Sequence, residues 1–92
     1  MRFEFKPSFD RSVKSFHGRE KEEIKKAAIY TIDLLSNPQI VPKGIGLKRL
    51  HDNFWETRVG LKTRILFKWK SDLVEFILAG SHDDIKHFLR NR

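Results

Sequence analysis

An α+β fold follows from three features of these 92 residues: a small twisted, mainly antiparallel sheet packed on a two-helix hairpin. A period-two segment opens the chain, a helical stripe runs through residues 19–35, and three short alternating segments fill the last third. The expected order is an N-terminal strand, two helices, a long loop, a three-strand meander and a short C-terminal helix. One domain covers residues 1–92, because a chain this short holds one core and not two.

Arg2 to Lys6 alternates, with Phe3 and Phe5 on one face, and stops at Pro7. Ser8 or Asp10 is placed to cap a short helix to about Phe16, which His17-Gly18 breaks. From Arg19 to Leu35, the residues Ile24, Ala27, Ala28, Thr31, Leu34 and Leu35 recur at helical spacing. Asn37-Pro38 ends that helix, since proline disfavours helical geometry in the residue before it. Gln39 to about Asn53 reads as a loop, with Pro42, Gly44 and Gly46 and the basic pair Lys48-Arg49.

Strands follow. In Phe54–Val59, Trp55, Thr57 and Val59 share one face, and Glu56 and Arg58 share the other. Gly60-Leu61-Lys62 suits a tight reversal, and reversing about Leu61 sets Arg58 opposite Arg64. Ile65, Phe67 and Trp69 then face the core. Ser71-Asp72 turns the chain into Leu73–Ala79, where the expected register pairs Trp69 with Val74, Phe67 with Phe76 and Ile65 with Leu78. Both longer helices are expected on this face. The other is expected to stay open, carrying Glu56, Arg58, Arg64 and Lys68.

Nineteen Lys plus Arg against 12 Asp plus Glu give a formal charge of +7 and a pI near 10.0. Such an excess attracts polyanions, whether nucleic acid, ribosome, an acidic protein or anionic lipid. The 39% hydrophobic and 12% aromatic content supports a folded core and argues against disorder. The absence of cysteine excludes a disulfide framework and thiolate zinc sites. Neither a signal-peptide pattern nor an apolar run of about 18 residues occurs, so a soluble, cytoplasmic protein with no membrane role is expected.

Four segments carry a family likeness: Leu47-Lys-Arg-Leu50, Phe54-Trp-Glu-Thr-Arg-Val-Gly60, Arg64-Ile-Leu-Phe67 and Gly80-Ser-His-Asp-Asp-Ile85. In this order and spacing the chain resembles the RelE/ParE toxin superfamily, in its histidine-bearing, YafQ-like branch. The resemblance implies a toxin of a type II toxin–antitoxin pair, acting as a ribosome-dependent, metal-free endoribonuclease that cuts mRNA and so inhibits translation. It implies three partners, a cognate antitoxin, the ribosome and mRNA, and neither cofactor nor metal. Two alternatives stay open: a ParE-like, non-enzymatic inhibitor of DNA gyrase, and an inactive homologue that only binds its antitoxin. A homodimer and a toxin–antitoxin hetero-oligomer are both compatible with the resemblance, which leaves the oligomeric state open.

Attack of a 2′-hydroxyl on the adjacent phosphate needs a base, cations for the charge gathering on phosphorus, and an acid for the leaving 5′-oxygen. Matched to the family motifs, Arg64 is the phosphate-binding arginine, Arg58 a second cation and His82 the acid or base. On regular alternation His82 would share the parity of Val74 and Phe76 and point into the core, so Gly80 is expected to break the pleat. The plainer role for this segment is helix entry, with Asp83 as N-cap and Asp84 in the first turn. Lys48, Arg49, Lys62, Lys68 and Lys86 are candidate RNA contacts. Lys86 stands where many ribonuclease members carry an aromatic, and lysine cannot stack a base. Either Phe88, Trp55 or another aromatic takes that part, or the activity is weaker or different. His51-Asp52 and the Asp83, His87 pair supply no third metal ligand.

Overall fold

The computed structural model describes residues 1–37 and 46–92. The helix stop at Pro38 and the loop residues Gln39, Pro42 and Gly44 lie outside the described residues. In chain order the elements are β1 (Arg2–Phe5), α1 (Pro7–Lys14), α2 (Gly18–Ser36), β2 (Leu47–His51), β3 (Phe54–Val59), β4 (Thr63–Lys70), β5 (Leu73–Gly80) and α3 (His82–Arg90). The sheet order is β1-β5-β4-β3-β2. Its pairs are antiparallel except β1–β5, which is parallel. This is the expected α+β arrangement with one strand more in the meander.

The extra strand is β2, where the sequence suggested loop. Leu47 pairs with Thr57, Lys48 with Glu56 and Arg49 with Trp55, before the register shifts ahead of His51. Only Leu47 and Leu50 in this segment are apolar, and the shift spoils their alternation, so β2 leaves a weak period-two signal.

α1 and α2 pack on one sheet face. Phe9 and Val13 of α1 and Ile24, Ala28 and Leu35 of α2 join Val59, Ile65, Phe67, Val74, Phe76 and Ala79. Phe67 and Phe76 are fully buried with ring centroids 5.9 Å apart, and burying each contributes roughly 1.5–3 kcal/mol. Ser8 does not cap α1. Lys6 is the N-cap, with Pro7 opening the helix, and no side chain caps it. Ser8 Oγ instead donates to the Ile77 carbonyl at 2.6 Å, and one turn later Ser12 Oγ accepts from Ala79 N–H at 2.9 Å. β1 pairs with β5 only as far as Phe76, so the two serines finish the strand edge that β1 leaves.

The register of β4 on β5 matches expectation for Trp69–Val74 and Phe67–Phe76, then departs. A bulge falls between Leu66 and Phe67, so that Leu66 pairs with Leu78, Ile65 with Ala79 and Arg64 with Gly80. Ile65 therefore meets Ala79 and not Leu78. The bulge supplies a second consequence: Leu66, Ile77 and Phe54 form an apolar patch on the face opposite the two longer helices. That face is not open along its length. α3 covers it, seating Ile85 on the patch with Leu50, Leu78, Phe88 and Leu89 packed around. Ile85, Phe88 and Leu89 follow i, i+3, i+4 spacing, the stripe of a helix with one buried face.

Candidate active site at the α3 entry

Arg58 and Arg64 are Cα partners across β3 and β4, as the three-residue reversal at Gly60–Lys62 requires. Arg64 is in turn the partner of Gly80 on β5. Directly paired residues face the same side, so positions 58, 64 and 80 make one row across three strands, on the α3 side. His82 follows Gly80 by two residues as the first residue of α3, and it is exposed.

The bulge changes the parity argument for His82. Before it, Val74 and Phe76 face the core; after it, Ala79 faces the core and Gly80 lies on the arginine side. Two further residues of strand would carry position 82 to the arginine side as well. The bulge, and not a break at Gly80, corrects the expectation of an inward histidine. Gly80 has another reason to lack a side chain. A Cβ there would lie 2.8 Å from Asp84 Oδ2 and 2.9 Å from Asp84 Cβ.

Asp84 is held there by a capping box. Ser81 is the N-cap, its Oγ accepting from Asp84 N–H at 3.1 Å, while Asp84 Oδ2 accepts from Ser81 N–H at 2.9 Å. Asp83 is a first-turn residue and not the cap. Ser81-His-Asp-Asp84 matches the Ser-x-x-Asp pattern that marks such boxes, a sequence signal sufficient to have found it. The box fixes the entry of α3 and with it the backbone position of His82.

Arg64 lies deeper than a surface cation. Its Nε is 3.2 Å from Glu56 Oε2, with the side chains only 18% and 10% exposed. The contact lacks hydrogen-bond alignment: Arg64 Nε and Nη1 and Glu56 Oε1 are buried without hydrogen-bond partners among the described residues. Buried guanidinium donors left unpaired carry a desolvation cost that a bound anion would remove. Arg58, by contrast, is exposed, and Gly46 packs beside it with a virtual Cβ 3.7 Å from Arg58 Cβ.

The remaining candidates divide. Lys48 is exposed and pairs with Glu56 on the row's side of the sheet. Lys86 sits one helical turn from His82 on α3, exposed. Arg49 and Trp55 are partners on the opposite face, where Trp55 packs against the helix-side core and its ring centroid lies 5.4 Å from that of Trp69. Lys62 lines a separate cleft of about 470 Å³ with Arg19, Glu20 and Glu23. Lys68 lies four residues along β4 from Arg64, roughly 13 Å away, over the Phe54 ring. Phe88 lies on the sheet-facing stripe of α3, packed against the patch of Phe54, Leu66 and Ile77. Arg58, Arg64 and Lys48 thus share one sheet face, His82 and Lys86 are exposed on the helix that follows Gly80, and Arg49, Trp55, Lys62 and Lys68 lie elsewhere. Among the described residues no three potential metal ligands cluster, and His51 Nε2 lies 3.2 Å from Asp52 Oδ2 as a surface pair.

No family sequence profile matches the chain, and no curated protein sequence does. Solved structures do. YafQ from E. coli strain BL21(DE3) superposes with a TM-score of 0.69 at 20% identity, over 92% of this chain and 98% of that one. The RelB–RelE antitoxin–toxin complex from Methanococcus jannaschii gives 0.66 at 20% identity, covering 92% and 96%. A YoeB/ParE toxin from Agrobacterium tumefaciens gives 0.64 at 15% identity, covering 89% and 99%. The chain has the fold of these toxins, over nearly the whole of its length and theirs.

Proposed function

We propose that this protein is the toxin of a type II toxin–antitoxin pair and acts as a ribosome-dependent, metal-independent endoribonuclease on mRNA, held silent by a cognate antitoxin. The observation that carries the reading is Arg64: a largely buried side chain, ion-paired to Glu56, whose Nε and Nη1 lack hydrogen-bond partners among the described residues, beside an exposed Arg58 on the row that ends at Gly80, two residues before His82. The structural likeness to toxins, and to a toxin in complex with its antitoxin, supports the partner.

In the proposed reaction the 2′-oxygen loses its proton to a base and bonds to phosphorus. The bond from phosphorus to the 5′-oxygen breaks, and an acid returns a proton to that oxygen. The products are a 2′,3′-cyclic phosphate and a 5′-hydroxyl end. Arg64 and Arg58 hold the two non-bridging oxygens as charge accumulates, the forked donors of guanidinium matching phosphate geometry. His82 serves as the acid or base, being the residue type best suited to exchange protons near neutrality. Lys48 and Lys86 contact the flanking RNA backbone. Since Trp55 and Phe88 pack elsewhere, this chain supplies no stacking platform at the row from those two residues.

Brief induction followed by mapping of RNA 5′ ends tests the reading. Growth arrest with new 5′-hydroxyl ends in translated messages, abolished by Arg58→Ala, is expected. Arrest with intact messages and an induced DNA-damage response would replace it with gyrase inhibition.

A further inference from the structure

A second concentration of positive charge lies at the C-terminal end of α3. Lys6, Arg11, Lys68 and Arg92 line one cleft of about 570 Å³, in which Glu75 is the acidic side chain among the described residues. That carboxylate is already engaged, its Oε2 2.7 Å from Lys6 Nζ. Among the described residues, Arg11, Lys68 and Arg92 have no carboxylate in ion-pair range. Lys68 Nζ and Arg92 Cζ both lie over the Phe54 ring, 5.7 and 4.8 Å from its centroid. Three uncompensated cations at one mouth repel each other and lower the cost of bringing in negative charge.

The floor of the cleft is apolar, made by Phe54, Ile77 and Phe88. We propose that it binds an acidic, amphipathic protein segment, with an apolar side chain seated against Ile77 and Phe88 and carboxylates flanking it at Arg11, Lys68 and Arg92. Two observations favour a protein segment over a nucleic-acid strand. Phe54 is only 7% exposed and its ring already carries two cations, so it offers no free face for a base. In addition, α3 separates the cleft from the arginine row, with Leu66 and Ile85 sealed between sheet and helix. This deepens the partner part of the preceding reading by naming a surface on which an acidic partner is held, and it is independent of the cleavage chemistry.

The test uses the full chain, labelled for amide NMR and titrated with three probes of equal charge: a peptide of Glu-Asp-Leu repeats, poly-Glu and single-stranded oligouridylate. The Leu-bearing peptide is expected to shift the amides of Arg11, Lys68, Ile77 and Phe88, and to bind about tenfold more tightly than poly-Glu. Arg11→Glu should weaken it about tenfold, and Arg92→Glu, beyond the end of α3, repeats that test should the change on α1 disturb packing. Equal binding of poly-Glu, shifts confined to the arginine row, or oligouridylate filling the cleft in place of the peptide would each overturn the assignment. Peptide bound here by a protein that leaves messages intact would retain this site and sink the nuclease reading. Cleavage without peptide binding would do the reverse.

Discussion

Glu56 and Arg64 form a largely buried ion pair diagonally across β3 and β4, Oε2 to Nε 3.2 Å, with one carboxylate oxygen and two guanidinium nitrogens lacking hydrogen bonds among the described residues. Removing one partner leaves the other charged and poorly solvated. Arg64→Ala should therefore destabilise the fold by about 3 kcal/mol in urea denaturation, while replacing both residues by apolar ones should cost much less. A loss of activity in Arg64→Ala would mix chemistry with unfolding.

Arg58 separates the two effects. It is exposed and faces Arg64, so Arg58→Ala removes a like-charge neighbour and should change stability by no more than about 0.5 kcal/mol. Cleavage should nonetheless fall about a hundredfold, as expected for loss of one donor to a phosphoryl transition state. Thermal melting beside an RNA-cleavage assay checks both halves.

Gly80→Ala should act through α3. Its Cβ would press on Asp84, which must move and surrender the capping box to Ser81. The cost should exceed that of Asp84→Ala, about 1 kcal/mol for a lost cap, because the Asp84 Cβ contact at 2.9 Å demands a backbone shift as well. Melting temperatures of the two variants give the ranking.

Ser12 and Ser8 are predicted to differ. Ser12→Ala orphans the Ala79 N–H in the interior of the sheet edge, a loss of about 1–3 kcal/mol. Ser8→Ala removes one donor from the Ile77 carbonyl and should cost about 1 kcal/mol. Amide exchange at Ala79 should accelerate in the first variant.

The legible parts of the sequence were those where a period survives unbroken. The β3–β4 hairpin alternates without interruption, so the facing of Arg58 and Arg64 could be read directly. β5 hides its bulge because Ile77 and Leu78 are both apolar and neither glycine nor proline marks the slip. That one hidden residue shifts the parity of the strand end before His82, a change the sequence alone assigns to a break at Gly80, and it concealed the apolar patch that α3 covers. β2 was missed since its apolar pair is broken by a register shift. The Glu56–Arg64 pair joins diagonal positions on one face of the β3–β4 hairpin, so its proximity follows from the same alternation.

The most direct measurement is single-turnover cleavage of ribosome-bound mRNA by purified wild type and His82→Ala. His82 is exposed at the first helical position, where alanine is well tolerated, so both proteins should melt alike. A rate reduced by about 10²–10⁴ in the variant is predicted, the contribution of a positioned acid or base. A variant that cleaves as fast as wild type would contradict the account.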